Sequence, residues 1–308
     1  MLKTINLTKS YGSLLAVDRI SIDVREGEIF GLLGPNGAGK TTTINMICAL
    51  VKPDSGAIEL DGQDMNRTGE GIRRHLGVVP QEVALYEDLN AVENLTFWGT
   101  LYGMKKKHVR KRIEELLEIT GLTDRARERV RTYSGGMKRR LNMAVGMIHR
   151  PKLLLLDEPT VGIDPQARHN MLDTVKTVAQ EGATILYTTH YMDEAEMLCD
   201  RLAIMDHGRI LAMGTQNEIK QIVGENRLLR VVGRFDKITA ETLPEKLKNL
   251  SLISISQDEA VYSLPLKQGT GEFLETLIKS GFEIDNLSIN EPSLDSVFIK
   301  LTGRELRD

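Results

Sequence analysis

Cysteine is scarce in this sequence, which has two among its 308 residues, Cys48 and Cys199. The two lie far apart and show no metal-ligand spacing. The chain therefore offers neither a disulfide framework nor a cysteine-based zinc site, as is typical of a reducing compartment. Neither sign of charge dominates, because 40 basic residues stand against 43 acidic ones. This balance does not suggest a nucleic-acid partner.

Long apolar runs are also missing. None approaches the roughly 20 residues that a helix needs to cross a bilayer, and the N-terminal segment is too polar for a signal peptide. If the protein works at a membrane, we therefore expect another chain to span it. The hydrophobic content of 41% is enough for a proper core, and the length suggests one large domain or two.

A phosphate-binding loop is the most informative feature that is present. Residues 34–41 fit the pattern G-x-x-x-x-G-K-[ST], between a predicted buried strand at 27–33 and a predicted helix at 42–50. Glycines let backbone N–H groups approach phosphate oxygens, lysine supplies a positive charge, and the threonine hydroxyl suits Mg²⁺. The dipole at the helix N-terminus favours the same anion. The residues predicted to bind the nucleotide here are Gly34, Pro35, Asn36, Gly37, Ala38, Gly39, Lys40, Thr41 and Thr42.

The order of predicted elements divides the chain into two units. Residues 1–222 alternate strand and helix, which favours an α/β fold, and about 83–150 form a mostly helical portion. From 226 to 308 the predicted order is strand, helix, strand, strand, helix, strand, with a last helix behind it. That order is typical of a small α+β domain of the ferredoxin-like type.

Two adjacent carboxylates follow another predicted buried strand. Four leucines at 153–156 lead directly into Asp157 and Glu158, at the sheet edge where open α/β proteins bind their ligands. Asp157 suits the coordination shell of Mg²⁺, and Glu158 suits a general base that orients an attacking water. The alternative is a solvated acidic strand end, which the run of leucines disfavours.

Further short motifs occur in a characteristic order. Ser134-Gly135-Gly136 would by itself be an ordinary helix cap and turn. With the phosphate loop before it and the carboxylate pair after it, residues 1–220 resemble the ATPase subunit of ABC transporters. The matching segments are Tyr11 (adenine stacking), 34–42 (Walker A), Gln81 (Q-loop), 133–137 (signature), 153–158 (Walker B), 161–164 (D-loop) and His190 (switch histidine).

This resemblance implies a P-loop ABC ATPase domain, with a mixed sheet and a helical subdomain, that binds ATP and Mg²⁺. It also implies a head-to-tail homodimer, in which each ATP lies between the phosphate loop of one copy and the signature of the other. The implied ATP-binding residues outside the loop are Tyr11, Ser134, Gly135, Gly136 and Asp164. The implied catalytic residues are Glu158, His190 and Gln81, and the implied metal ligands are Thr41, Gln81 and Asp157.

Two departures from the family pattern lie within these motifs. Met137 stands where the signature usually has glutamine, which removes a side-chain donor near the bound nucleotide. Gly162-Ile163 stands where Ala-Leu is common in the D-loop. The signature serine and both glycines remain, so phosphate contacts through the hydroxyl and the backbone are still expected.

The C-terminal unit carries a second resemblance. Residues 290–298 and 300–303 look like the tail of the drug-exporter branch, the daunorubicin type whose ATPase and membrane subunits are separate chains. This implies a peripheral subunit on the cytoplasmic face of the cell membrane. It would power export of a drug, peptide, lipid or ion through a separate permease, which the region after Gln81 should face. Candidate docking residues there, for which core packing is an equal alternative, are Leu85, Tyr86 and Leu89.

Two other classes of function remain open on the sequence. One is a soluble ABC ATPase with no transport role, such as a translation factor or a repair clamp, but we find a single phosphate loop and no long coiled-coil heptads. The other is a nucleotide-binding regulator without turnover, which Glu158 and His190 disfavour and the altered signature leaves open. The basic run 105–112 predicts a solvated helix face, with a contact to anionic lipid as the alternative.

Overall fold

The computed structural model describes residues 1–65, 70–222, 226–265, 270–290 and 293–303. In chain order the strands are β1 (Leu2–Tyr11), β2 (Leu14–Ile20), β3 (Asp23–Val24), β4 (Ile29–Leu33), β5 (Ser55–Leu60), β6 (Gln63–Asp64), β7 (Leu76–Val79), β8 (Leu153–Asp157), β9 (Thr184–Thr189), β10 (Arg201–Asp206), β11 (Arg209–Thr215), β12 (Asn226–Arg234), β13 (Ser251–Ile255), β14 (Glu259–Pro265) and β15 (Glu283–Asn290).

The helices, in the same order, are α1 (Lys40–Ile47), α2 (Glu70–Arg73), α3 (Ala91–Leu101), α4 (Lys106–Ile119), α5 (Gly135–Met147), α6 (Pro165–Gln180), α7 (Met192–Leu198), α8 (Gln216–Lys220), α9 (Lys237–Lys246), α10 (Thr270–Lys279) and α11 (Leu294–Thr302). Within the described ranges, none of them has the length and apolar character that crossing a bilayer requires.

The chain forms two compact units, Met1–Met213 and Gly214–Asp308. This boundary lies earlier than the one expected from the sequence at 222–226. The physical reason is that α8 packs against α11, and Lys300 Nζ donates a hydrogen bond to the carbonyl of Ile222 at 2.8 Å. The short helix α8 therefore groups with the C-terminal unit.

A sheet with the strand order β11-β10-β4-β9-β8-β7 forms the centre of the first unit. From β10 to β7 the neighbouring strands run parallel. Every residue of β4, β8 and β9 is buried, as expected for strands covered on both faces. Because parallel strands end at the same edge, the segments that follow β4, β7, β8 and β9 converge there. These segments carry the phosphate loop, the Q-loop, the carboxylate pair and the switch histidine.

An antiparallel sheet, with the order β2-β1-β5-β6 and with β3 beside β1, accompanies the central sheet. One hydrophobic core joins the two sheets to α1. It contains Leu7 and Val17 from the antiparallel sheet, Ile44 from α1, and Phe30 and Leu155 from the central sheet. Burial of these apolar side chains fixes α1, and so the phosphate loop before it, in the interior of the unit.

The portion predicted to be mostly helical contains α3, α4 and α5, which pack on one another. Residues 80–90, all of them described, form a loop instead. The fully buried Asn94 accepts a hydrogen bond from the backbone nitrogen of Tyr86 (2.9 Å) and donates one to its carbonyl (3.0 Å). These bonds satisfy loop backbone groups that a helix would have paired internally.

Most of the basic run 105–112 forms an exposed face of α4, as the solvated-face interpretation predicts. Val109 and Arg112 are the buried residues of the run. Arg112 Nη2 donates to the carbonyl of Met147 at 3.2 Å, so this one cation joins α4 to the end of α5.

Several elements end at residues that favour such ends. Asp164 caps α6 by accepting a hydrogen bond from the backbone nitrogen of Ala167 at 2.9 Å, with proline in the first turn. Gly182 follows this helix with a left-handed φ of 93°. The turn between β10 and β11 is formed by His207 and Gly208, which both have positive φ.

The second unit contains a sheet with the order β13-β14-β12-β15, in which all neighbours are antiparallel. The chain visits strand, helix, strand, strand, helix and strand in turn, which is the ferredoxin-like arrangement. Its separate core includes Val231, Tyr262 and Phe273. Ser293 caps α11 by accepting from the backbone nitrogen of Ser296 at 3.2 Å. Glu291 and Pro292 of the C-terminal motif lie outside the described residues.

Candidate nucleotide-binding site

The loop between β4 and α1 wraps around the side chain of Lys40, which is 4% exposed. Its ammonium donates hydrogen bonds to the carbonyls of Gly34 (2.7 Å) and Pro35 (3.0 Å). Ala38 closes a turn with Pro35 and accepts at its own carbonyl from the backbone nitrogen of Gly208. The loop is thus stabilised by hydrogen bonds from its own lysine and by one from the β10–β11 turn.

Two glycines of this loop are required by its packing. A Cβ at Gly34 would lie 2.1 Å from the carbonyl oxygen of Met205, and one at Gly39 would lie 2.4 Å from that of Ala16. Gly39 also has a φ of 106°, which L side chains rarely adopt. Gly37, with a φ of 80°, would meet nothing within 4 Å, which leaves space beside the loop for a ligand.

Glu158 lies opposite this lysine at the end of β8. Its Oε1 is 2.9 Å from Lys40 Nζ, and its Oε2 is 3.2 Å from Nδ1 of His190. Burial alone would raise the pKa of this carboxyl, but the bonds from His190 and Lys40 outweigh that effect and lower it to about 2. The group is therefore ionised at neutral pH.

The backbone of Glu158 is held in the left-handed region, with a φ of 45°. Its nitrogen donates to the carbonyl (3.2 Å) and the hydroxyl (3.0 Å) of Thr188 on the neighbouring strand β9. Non-glycine residues with this conformation concentrate at functional sites, where surrounding contacts hold them.

Asp157 is buried beside it and has a different electrostatic environment. Burial raises the pKa of this carboxyl, while hydrogen bonds from the hydroxyls of Thr188 and Thr41 oppose the rise. The hydroxyl of Thr188 lies 2.7 Å from Asp157 Oδ1. A desolvated carboxylate next to the Thr41 hydroxyl is a hard-oxygen donor set of the kind that Mg²⁺ prefers.

Among the described residues there is no group of three or more His, Cys, Asp or Glu side chains that could hold a metal. This fits Mg²⁺, which usually takes one or two carboxylates and completes its shell with phosphate oxygens and water. The donors present fit that ion and do not form an all-protein metal cage.

A pocket of about 370 Å³ is lined by half of the predicted site residues. The predicted residues that line it are Tyr11, Asn36, Gly37, Gly39, Lys40, Thr41, Thr42, Gln81 and Glu158. The sequence did not predict Leu14, Leu15, Ala16 and His207, which also line it. Leu14 and Leu15 are adjacent apolar residues at the start of β2, and both are exposed. Because one of two adjacent strand residues usually faces the core, such a pair could have indicated a binding surface.

Five other predicted residues contact the lining residues and do not line the pocket themselves. Gly34 and Pro35 accept hydrogen bonds from Lys40, Asp157 accepts one from Thr41, and His190 bonds to Glu158. Ala38 is within the phosphate loop. The remaining predicted residues, at the starts of α5 and α6, do not line this pocket. They are Ser134, Gly135, Gly136 and Asp164.

The signature residues begin α5. Ser134 caps the helix by accepting from the backbone nitrogen of Met137 at 3.3 Å. A Cβ at Gly136 would lie 2.4 Å from Cβ of Ala167 on α6, whereas one at Gly135 would be 3.6 Å from the nearest atom, on Ile163. Gly136 is therefore needed for close packing of α5 on α6, and Gly135 is free of that constraint.

The sequence did not predict a buried carboxylate, that of Glu194, which accepts several hydrogen bonds next to the site. Glu194 on α7 is fully buried and accepts hydrogen bonds from the hydroxyls of Thr160 (2.6 Å), Thr189 (2.6 Å) and Tyr187 (2.9 Å). Arg168 on α6 lies 2.7 Å from the same carboxylate. These bonds tie the segments after β8 and β9 together. No short motif in the sequence marks Glu194, because Thr160 and Arg168 come from distant segments and only Tyr187 and Thr189 are near it in the chain.

Comparison with known proteins identifies relatives of this chain. A family model described as ABC transporter matches residues 17–161. The linearmycin resistance ATP-binding protein LnrL of Bacillus subtilis is 41% identical over 100% of both chains. The daunorubicin/doxorubicin resistance ATP-binding protein DrrA of Streptomyces peucetius is 38% identical, over 100% of this chain and 94% of its own length. The Nod factor export ATP-binding protein I of Cupriavidus metallidurans is 39% identical, over 98% and 97%.

Solved structures of ATP-binding cassettes have the same fold. An ATP-binding subunit of an ABC transporter is 32% identical, with a TM-score of 0.65, and covers 73% of this chain and 93% of its own. A dimeric cassette in a post-hydrolysis state, bound to ADP and Pi, is 28% identical, with a TM-score of 0.63, and covers 70% and 98%. The chain therefore belongs to the ABC transporter family, as an ATP-binding subunit related over its whole length to those of resistance and export systems.

Proposed function

We propose that this chain hydrolyses ATP with Mg²⁺ and uses the reaction to drive export through a separate membrane permease. The observation that carries the proposal is the position of Glu158. This carboxylate lies between the phosphate-loop lysine and His190, in a pocket that also contains Tyr11 and Gln81. The alternative of a family member without a transport role has no support among the relatives, whose names are those of resistance and export proteins.

In this proposal the pocket divides into a base end and a phosphate end. Tyr11 is half exposed at the end of β1, where its ring can stack on adenine. The backbone nitrogens of residues 36–42 and the ammonium of Lys40 bind the phosphates. Thr41, Asp157 and Gln81 hold Mg²⁺, which when bound neutralises charge on the phosphate oxygens.

Glu158 is the proposed base that orients the attacking water. Without a nucleotide its low pKa makes it a weak proton acceptor, because Lys40 and His190 stabilise the anion. Phosphate oxygens would compete for the ammonium of Lys40. Losing that partner would raise the pKa of Glu158 and make it a better base only when ATP is in place. His190, still within reach of the carboxylate, would sense the outermost phosphate.

A head-to-tail homodimer would complete each site. Ser134 and Gly135 are exposed at the start of α5, where unpaired backbone N–H groups and the helix dipole favour an anion. They do not line the pocket of their own chain, so a second copy is required to bring them to the ATP. Asp164, at the start of α6, would approach the same interface. The dimeric structure of a related cassette supports this arrangement.

The permease would dock beside the Q-loop. Val83, Tyr86, Phe97 and Leu101 are large apolar residues that are exposed there, and the rings of Tyr86 and Phe97 pack edge to face at 4.8 Å. Of the docking residues expected from the sequence, Tyr86 is exposed, whereas Leu85 and Leu89 are half-buried. We propose Tyr86 and Phe97 as the main contacts.

Such a permease contact would hold the chain at the cytoplasmic face of the membrane as a peripheral subunit. Among the substrate classes that the sequence leaves open, the names linearmycin resistance and daunorubicin/doxorubicin resistance favour a drug-like compound. The four classes remain a drug, a peptide, a lipid or an ion.

Replacement of the proposed base tests the enzymatic part. We expect Glu158→Gln to lower ATP turnover at least about 100-fold, the usual contribution of a general base, while binding of a fluorescent ATP analogue persists. Chelation of Mg²⁺ should stop turnover of the unsubstituted chain. Glu118→Gln, on the exposed side of α4, is the matched control. Near-normal turnover in Glu158→Gln would remove Glu158 from this role.

A further inference from the structure

Arg139 lies on α5 close behind the signature glycines, and its side chain ends between two backbone carbonyls. Its Nη1 donates to the carbonyl of Gln81, and its Nη2 donates to the carbonyl of Val161 at 2.8 Å. The guanidinium is partly withdrawn from water, and this burial lowers its pKa. The two hydrogen bonds replace part of the water that it has lost. Hydrogen bonds from a charged donor are stronger than those between neutral groups.

The two carbonyls belong to two different segments, which follow the neighbouring strands β7 and β8 at the proposed hydrolytic centre. Gln81 lines the nucleotide pocket. Val161 donates its backbone N–H to the carbonyl of Glu158 at 3.3 Å, which closes a turn directly behind the proposed base. One guanidinium therefore connects the Q-loop to the turn that carries Glu158.

Neighbouring side chains of α5 hold the same loop but do not make this connection. Lys138 Nζ lies 2.5 Å from a carboxylate oxygen of Glu87, and Asn142 Oδ1 accepts from the backbone nitrogen of Ala84 at 3.1 Å. These contacts fix the loop to α5. Of these three α5 side chains, Arg139 also donates a hydrogen bond to Val161, in the turn that follows Glu158.

We propose that Arg139 is a positioning residue that fixes the distance between Gln81 and Glu158. The proposal rests on the proposed function, since it concerns the residues that hold the metal and the water. Loss of the guanidinium frees the two segments to move apart, so the chemical step slows. ATP binding changes less, because the bonds that hold the phosphate loop around Lys40 do not involve Arg139.

The chain offers a matched control on the same helix. Arg140 is also partly buried, with a pKa lowered by burial, and its Nη1 donates to the carbonyl of Thr120 at 2.6 Å. It therefore makes the same kind of bond away from the nucleotide pocket. Arg139→Met and Arg140→Met remove a guanidinium of similar burial from adjacent positions.

Steady-state kinetics of the full chain give the first test. Arg139→Met is expected to lower kcat about tenfold or more with the KM for ATP changed less than about twofold, and Arg139→Lys to recover part of kcat by keeping one bond. Arg140→Met should keep kcat within about twofold of the unsubstituted chain. Equal loss of kcat in both methionine variants would indicate a general effect on α5 and overturn the proposal. So would an unchanged kcat in Arg139→Met.

Hydrogen exchange supplies a readout that needs no turnover. In Arg139→Met, exchange should speed up in peptides that cover residues 80–86 and 158–164, and in Arg140→Met in the peptide around 120–122. Unchanged exchange in both peptides of Arg139→Met would overturn the proposal. Absence of Mg²⁺-dependent hydrolysis in the unsubstituted chain would instead refute the proposed function, and the exchange experiment would still decide whether Arg139 joins the two segments.

Discussion

At the scale of single residues, the distinctive feature is a buried carboxylate pair whose members differ in charge environment. Glu158 contacts two potential cations, Lys40 and His190, and its pKa is lowered to about 2. Asp157 contacts hydroxyls, and burial raises its pKa. Neighbouring carboxyl groups with opposite shifts can serve different tasks, and the tasks that we propose here are orientation of water and coordination of a metal.

The lowered pKa of Glu158 predicts how stability depends on pH. A carboxyl whose folded pKa lies below its unfolded value stabilises the fold above the unfolded pKa, and this contribution is lost as pH falls towards the folded pKa. We therefore expect the unsubstituted chain to be more stable than Glu158→Gln at pH 7, by at most roughly 3 kcal/mol. The difference should shrink between about pH 5 and pH 2.

Urea unfolding at pH 7, 5, 4 and 3 measures this difference, with Glu118→Gln as the reference for a surface carboxylate. A gap between Glu158→Gln and the unsubstituted chain that stays constant across this range would contradict the assigned ion pairs. ATP should be absent from these measurements, because it would compete for Lys40.

At the scale of elements, α5 connects three parts of the site. Its start carries the signature, its side chains hold the Q-loop, and its face packs closely on α6. Glycine within a helix costs stability relative to alanine, so Gly136 needs a structural reason. The 2.4 Å from its ideal Cβ position to Cβ of Ala167 gives that reason.

This packing predicts opposite outcomes for adjacent glycines. Gly136→Ala should destabilise the chain by about 1–3 kcal/mol, the usual cost of overpacking, whereas Gly135→Ala should be tolerated because its nearest contact is an ordinary 3.6 Å. Chemical denaturation measures both. Adding Ala167→Gly to Gly136→Ala should recover part of the loss. A double variant that is simply additive would show that the two helices do not clash at this point.

At the scale of the whole molecule, the first unit exposes four large apolar residues between the Q-loop and the end of α3, namely Val83, Tyr86, Phe97 and Leu101, and the rings of Tyr86 and Phe97 are in contact. Exposed apolar patches of this kind mark sites of protein interaction. The same loop is held by Asn94 and by α5. A partner bound there would therefore act on both Gln81 and the signature helix.

If the permease docks at the proposed surface, variants of this surface should lose the permease and keep ATP hydrolysis. Tyr86→Ser combined with Phe97→Ser should abolish capture of a polytopic membrane protein from detergent-solubilised membranes, because the apolar contact is lost. Basal ATP turnover and the melting temperature should change little. Leu50→Ser is the matched control, since Leu50 is 74% exposed elsewhere on the unit. Unchanged capture by the double variant, identified by mass spectrometry, would place docking elsewhere.

Local sequence patterns were sufficient for much of the fold. Short-range signals account for the buried strands, the phosphate loop, the Asp164 cap and the His207-Gly208 turn. Strands buried on both faces are continuous apolar runs, and positions with positive φ favour glycine. The loop at 80–90 did not follow from the sequence, since the bonds that shape it come from Asn94, Lys138 and Asn142 in other elements.

The sequence by itself determined the chemistry, because the loop, the carboxylate pair and the histidine each occupy one short segment with its own signature. Only the tertiary structure decided which groups meet. Parallel strands bring Lys40, Glu158 and His190 within hydrogen-bond distance, while the signature remains outside the pocket of its own chain. The bonds from Thr160 to Glu194 and from Arg139 to Gln81 join residues far apart in the chain. No local pattern encodes such contacts, since they depend on how separate elements pack.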